Sequence, residues 1–150
     1  MKILLVEDDE HKRNDVAGCL LSLKYDISVD YGYSVESGVQ KAVDNNYDLL
    51  LLDMTIPNFD QSNGSSGGRS FKKGGELIVE ELLDEEVDFR CAVITQYETF
   101  NNETIDEISN RLSSICGNKY FGYVMYSTMN EDWKNELKNL IQNVKNTLYR

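Results

Sequence analysis

Four consecutive apolar positions, Ile3-Leu4-Leu5-Val6, run straight into Glu7-Asp8-Asp9, and a second run, Leu49-Leu50-Leu51-Leu52, closes on Asp53. Segments that are apolar at every position, rather than at alternate ones, fit parallel strands covered by helices on both faces. Ile27-Ser28-Val29-Asp30 alternates instead, which suits a half-exposed strand at a sheet edge, with the strands at 3–6 and 49–52 inside. Between them, 11–24 can be helical, with Val16, Leu20, Leu21 and Leu23 as a partial apolar stripe, and 35–45 carries Val35, Val39, Ala42 and Val43 on one face. Leu77, Ile78, Val79, Leu82 and Leu83 mark a third helix. Phe89 to Thr95 follows as a fourth strand that ends on a hydroxyl. Ile105, Ile108, Leu112 and Ile115 repeat at helical spacing, and Tyr120 to Tyr126 reads as a fifth strand. The stripe Trp133, Leu137, Leu140, Ile141, Val144 and Leu148 defines a last amphipathic helix. The pattern is five βα units, an α/β fold with a doubly wound parallel sheet.

With 150 residues the chain is expected to be a single domain, 1–150, large enough to bury roughly two thirds of its unfolded surface. A net charge of −11 argues against direct contact with nucleic acid or anionic membrane and points to protein partners. Met1-Lys2 leads directly into a strand without a secretory apolar segment, and no stretch approaches the roughly 18 apolar residues of a membrane span, so a cytoplasmic location is expected. Cys19, Cys91 and Cys116 are odd in number and lack CxxC spacing, which leaves buried thiols as the default reading. The only histidine, His11, has no second ligand type at helical spacing and reads as a solvated helix residue.

Open parallel sheets place their chemistry beyond the carboxyl ends of the strands. If the first and third strands are neighbours, Glu7, Asp8 and Asp53 crowd together. Like charges that close raise one another's pKa unless a cation neutralises them, and a small all-oxygen cluster suits Mg²⁺ with retained waters.

These residues resemble a response-regulator receiver domain, the phosphoacceptor half of two-component signalling, over essentially the whole chain. The resemblance rests on Val6-Glu7-Asp8 after the first strand, Leu52-Asp53-Met54-Thr55-Ile56-Pro57 after the third, Thr95 after the fourth and Gly122-Tyr123-Val124-Met125 in the fifth. It implies a flavodoxin-like (βα)5 sheet in the order 2-1-3-4-5. It further implies Asp53 as phosphoacceptor, Mg²⁺ held by Asp8 directly, Glu7 through water, Asp53 and the Thr55 carbonyl, Thr95 as the hydroxyl that contacts the phosphoryl group, and Tyr123 as a switch aromatic. The implied partners are a sensor histidine kinase or phosphotransfer protein and an output protein. Binding surfaces on the 101–116 helix, the fifth strand and the last helix would respond. A homodimer stays open.

The sequence departs from the family at two places. Where the family ends its fifth strand with Lys-Pro, this chain has Tyr126-Ser127, and Lys119 lies at the opposite end of a strand of about seven residues at ~3.3 Å each. A Gly- and Ser-rich insertion between Pro57 and the third helix, ending in Lys72-Lys73-Gly74-Gly75, reads as a flexible loop or as a lid carrying Arg69, Lys72 or Lys73 to the phosphoryl group. Two functions therefore compete: a receiver phosphorylated on Asp53, not an enzyme beyond slow autodephosphorylation, and a pseudo-receiver that acts as an interaction module without phosphorylation. A haloacid-dehalogenase type phosphohydrolase would want an acid two residues after Asp53, where Thr55 stands, and neither a GxxxxGK[ST] nor a GxGxxG loop is present.

Overall fold

The computed structural model describes residues 1–60, 70–71 and 73–149. The five strand segments form one parallel sheet: β1 (Lys2–Val6), β2 (Ser28–Gly32), β3 (Leu49–Leu52), β4 (Cys91–Thr95) and β5 (Tyr120–Met125), in the order β2-β1-β3-β4-β5. β1, β3 and β4 are interior and almost wholly buried, whereas β2 keeps only Gly32 fully buried, as its alternating sequence implies. The helices are α1 (Glu10–Ser22), α2 (Val35–Asp44), α3 (Gly74–Asp84), α4 (Ile105–Cys116) and α5 (Asp132–Leu148). Side chains of α1 and α5 pack on Ile3, Leu5, Leu49, Leu51, Ala92 and Ile94, while α2, α3 and α4 cover Leu4, Val6, Leu50, Leu52 and Val93 on the other face. Successive residues of the interior strands thus serve opposite cores, which is why β1, β3 and β4 are apolar almost throughout.

Local chemistry starts the helices where the strands end. Asp9 caps α1 by accepting from the amides of His11 (3.0 Å) and Lys12 (3.3 Å), and Ser34 and Ser37 form a reciprocal capping box on α2. In β5, Tyr120 pairs with Cys91 but Tyr123 pairs with Val93, so three steps of β5 match two of β4. This is a bulge, and Gly122, at φ +95°, supplies the conformation it needs. As a result Tyr120, Tyr123 and Met125 face α4, while Phe121, Val124 and Tyr126 face α1 and α5.

Several details differ from the sequence reading. Leu21, Val43, Leu83 and Ile115 lie on the outer sides of their helices and are exposed. Phe89 and Arg90 precede β4 rather than belonging to it. The segment 101–104 is not helical: Thr99–Phe100 and Glu103–Thr104 form a tiny antiparallel hairpin, turned by Asn101 and Asn102 at positive φ, and Phe100 inserts into the core. Of the three thiols only Cys91 is buried. Gly74 and Gly75 are not loop but the first turn of α3. The remainder of the insertion, including Arg69 and Lys72, lies outside the described residues, apart from a backbone pairing of Ser70–Phe71 with Ile56–Pro57.

Candidate phosphoacceptor site

The parallel register sets Val6 beside Leu52, so the next residues, Glu7 and Asp53, emerge together at the carboxyl edge of the sheet. Asp8 follows on the solvent side. Carboxylate oxygens of Glu7, Asp8 and Asp53 lie within 4.8 Å of one another, at the mouth of a shallow cavity of about 180 Å³ that Thr55, Gln96 and Tyr97 also line. Burial, then the neighbouring Asp53, pushes the Glu7 carboxyl up to about 9, against an opposing pull from Lys12, and the same two causes raise Asp8.

Lys12, in the first turn of α1, is the residue that the sequence reading missed. Its side chain is 2% exposed, and its ammonium donates to Asp53 Oδ1 (3.0 Å) and to the Ile94 carbonyl (2.9 Å). Glu7 Oε2 is also 3.0 Å away, yet among the described residues that oxygen accepts no well-directed hydrogen bond, so the contact is charge pairing and leaves a lone pair for a further cation or donor. Burial alone would lower the lysine pKa, but Asp53 and Glu7 outweigh it and raise the group above its ordinary value. The signal was present in the pattern. Lys12, Val16 and Leu20 recur at i, i+4, i+8, and all three are buried, so a lysine heads the apolar stripe of α1. A buried lysine demands a partner, and the acid cluster one turn away provides it.

Asp53 Oδ1 also accepts from the Met54 amide (2.9 Å), whereas Oδ2 accepts no hydrogen bond among the described residues. Among the described residues one carboxylate oxygen is therefore held and the other is open. Three acidic side chains, an unsatisfied buried oxygen on Glu7 and the nearby Thr55 make an all-oxygen donor set that fits a hard divalent cation.

No protein-family model matches the chain. It is similar to the Detocs response regulatory protein DtcB of Enterobacter cloacae strain JD6301, 24% identical over 143 residues that span 91% of this chain and 95% of that protein. A two-component response regulator from Clostridium difficile superposes with a TM-score of 0.67 at 19% identity, covering 100% of this chain and 99% of the other. This is the response-regulator receiver fold. The response regulator protein TrrA of Thermotoga maritima, whose structure is a complex with Mg²⁺-BeF, also matches, with a TM-score of 0.56 at 22% identity over 93% of this chain and 97% of that chain.

Within the receiver fold the remaining expected residues divide. Thr95 ends β4 fully buried, but its hydroxyl accepts from the Tyr97 amide (3.3 Å), a local turn that caps the strand. Tyr123 donates to Asp106 (2.5 Å) on α4 and sits on the face of the sheet away from the acid cluster. Tyr126, which the sequence resemblance sets against the family's lysine, is buried on the α1 and α5 side, with its hydroxyl on Asp15 (2.6 Å) and its ring 5.0 Å from that of Trp133. Lys119 is remote and pairs with Asp88. Lys73 does not reach the cluster either: it bridges to Glu103 in the hairpin. His11 is exposed as expected, 3.4 Å from Asp15.

Proposed function

We propose that residues 1–150 form one receiver domain that takes a phosphoryl group on Asp53 and signals through protein contact. The convergence of Glu7, Asp8 and Asp53 at the ends of β1 and β3 carries this reading. Mg²⁺ is the fitting ion, with Glu7, Asp8, Asp53 and the Thr55 carbonyl as its holders, and when bound it would offset charge on incoming phosphoryl oxygens. The chain's own part is positioning. β3 presents the open oxygen of Asp53, and the Met54 amide and Lys12 fix the other. The phosphoryl donor would be a sensor histidine kinase or a phosphotransfer protein, and the response would pass to a separate output protein. The Thr95 hydroxyl, which accepts from the Tyr97 amide, keeps its own proton to donate to a phosphoryl oxygen, and a movement toward that oxygen would draw the loop leading to the hairpin with it. Among the described residues no helix is long and apolar enough to cross a membrane.

The test is intact-mass analysis after incubation with acetyl phosphate and Mg²⁺. The parent should gain one phosphoryl group, and Asp53→Asn should remain folded and gain none. Labelling of Asp53→Asn would move the acceptor elsewhere. An unlabelled parent would favour the pseudo-receiver, which Tyr126 in place of the family's strand-end lysine otherwise supports.

A further inference from the structure

We infer that Lys12 supplies from α1 the cation that other receivers carry at the end of β5, and that it contacts the phosphoryl group formed on Asp53. The inference rests on the phosphorylation reading above and names a residue for it.

The position of the charge argues for this role. Asp53 and Glu7 have no other lysine or arginine nitrogen within salt-bridge range among the described residues. Lys12 already touches the reacting carboxylate at 3.0 Å, so a phosphoryl group on the free oxygen of Asp53 would form beside an ammonium in place. The lysine is also held from three further sides. Ile94 anchors the amine through its carbonyl, Tyr126 turns its ring toward the amine at 5.9 Å, and the Asp9 cap fixes the start of the helix. A side chain that rotamer entropy would otherwise leave mobile is thus fixed in the site.

Tyr126 takes part in this arrangement. With tyrosine at the strand end, the space on the α1 side is filled by a ring whose hydroxyl binds Asp15, also on α1. The strand end therefore braces the helix that delivers the cation. The missing lysine at 126 is thus matched by a buried lysine at 12 on the helix that Tyr126 braces.

In the transfer step, an oxygen of Asp53 forms a bond to phosphorus while the bond from phosphorus to the leaving acetate of acetyl phosphate breaks, and that bonding pair departs with acetate. Lys12 keeps all its protons and contributes only charge and N–H donors. As the new oxygens compete for those donors, its hold on Glu7 and Ile94 loosens, which ties the acceptor's charge to α1 and to the end of β4 beside Thr95.

The experiment compares the parent, Lys12→Met, Lys12→Arg and the double variant Lys12→Met with Tyr126→Lys, using acetyl phosphate and Mg²⁺ and reading label by intact mass. The Mg²⁺-induced rise in melting temperature reports metal binding separately. Lys12→Met should label at least tenfold more slowly with Mg²⁺ at saturation, as its own melting-temperature titration defines it, and restoring a lysine from the strand end should recover most of the rate. Labelling of Lys12→Met at the parent rate overturns the inference but leaves the function intact, whereas a parent that never labels removes both. A folded double variant without recovery would make Lys12 a structural residue only. If Lys12→Met does not fold, the parent answers alone: with ¹⁵N-lysine, addition of fluoroberyllate and Mg²⁺ should shift the Lys12 ammonium signal, and an unmoved signal overturns the contact.

Discussion

Gly75 stands against the carbonyl of Asp53, where an added Cβ would lie 2.7 Å from that oxygen and 3.0 Å from Met54 Sδ. The obstacle is backbone, so it cannot swing away. Alanine would gain roughly 0.5–1 kcal/mol of helix preference, but overpacking typically costs about 1–3 kcal/mol. Gly75→Ala should therefore lower the urea midpoint and slow labelling of Asp53, whose backbone would have to move; an unchanged midpoint and rate would show that this approach is not needed. The sequence placed this glycine in a flexible stretch because Gly-Gly after Lys-Lys looks like linker. Only the packing of α3 onto Asp53 and Met54 shows its use. Lys12 escaped for a related reason: a lysine on a helix with a weak apolar stripe reads as solvated until its partner is known. Glu7, Asp8 and Asp53 were legible because a strand's end point follows from where its apolar run stops.

Between elements, Arg111 joins three segments at once. Its guanidinium makes a two-pronged contact with Glu76 of α3 (2.6 and 2.9 Å) and reaches Glu103 of the hairpin (2.7 and 3.2 Å). Glu76 is 6% exposed, so deleting the arginine strands a carboxylate with little water. A hydrogen bond to a charged group is worth about 1.5–3 kcal/mol, but Arg111 is 42% exposed and partly screened, which places Arg111→Ala near the lower end of that range. The loss should shrink at high salt in chemical unfolding; a salt-independent loss would point to packing instead. The five helices and five strands were readable in the sequence because each long apolar period has one geometrical interpretation. The hairpin at 99–104 was not, since two-residue rungs leave no period, and its turn depends on two asparagines at positive φ. The outward positions of Leu21, Val43 and Ile115 show the limit of the same method: periodicity finds a face, and packing decides how wide it is.

For the whole molecule, a charge of −11 makes any bound dication stabilising in two ways, by ligation at the acid cluster and by reducing self-repulsion. Mg²⁺ at about 100 times its Kd should add on the order of 2.7 kcal/mol, or roughly 5–10 °C in melting temperature for a chain of this size. Calcium-free buffer titrated with Mg²⁺ to millimolar levels checks this, and a flat response would remove the metal from the site. The two faces of the sheet divide the labour: the side carrying α1 and α5 holds Lys12 and Tyr126, and the side carrying α4 holds Tyr123. The bulge at Gly122 has an unexpected corollary for that division. Because it contributes one surplus residue, removing Gly122 altogether restores an even count against β4 and returns every later side chain to the face it already occupies. A deletion in the middle of a strand, normally ruinous to parity, should thus be tolerated better in thermal melting than Gly122→Val, which keeps the count and forces a branched side chain into a left-handed backbone.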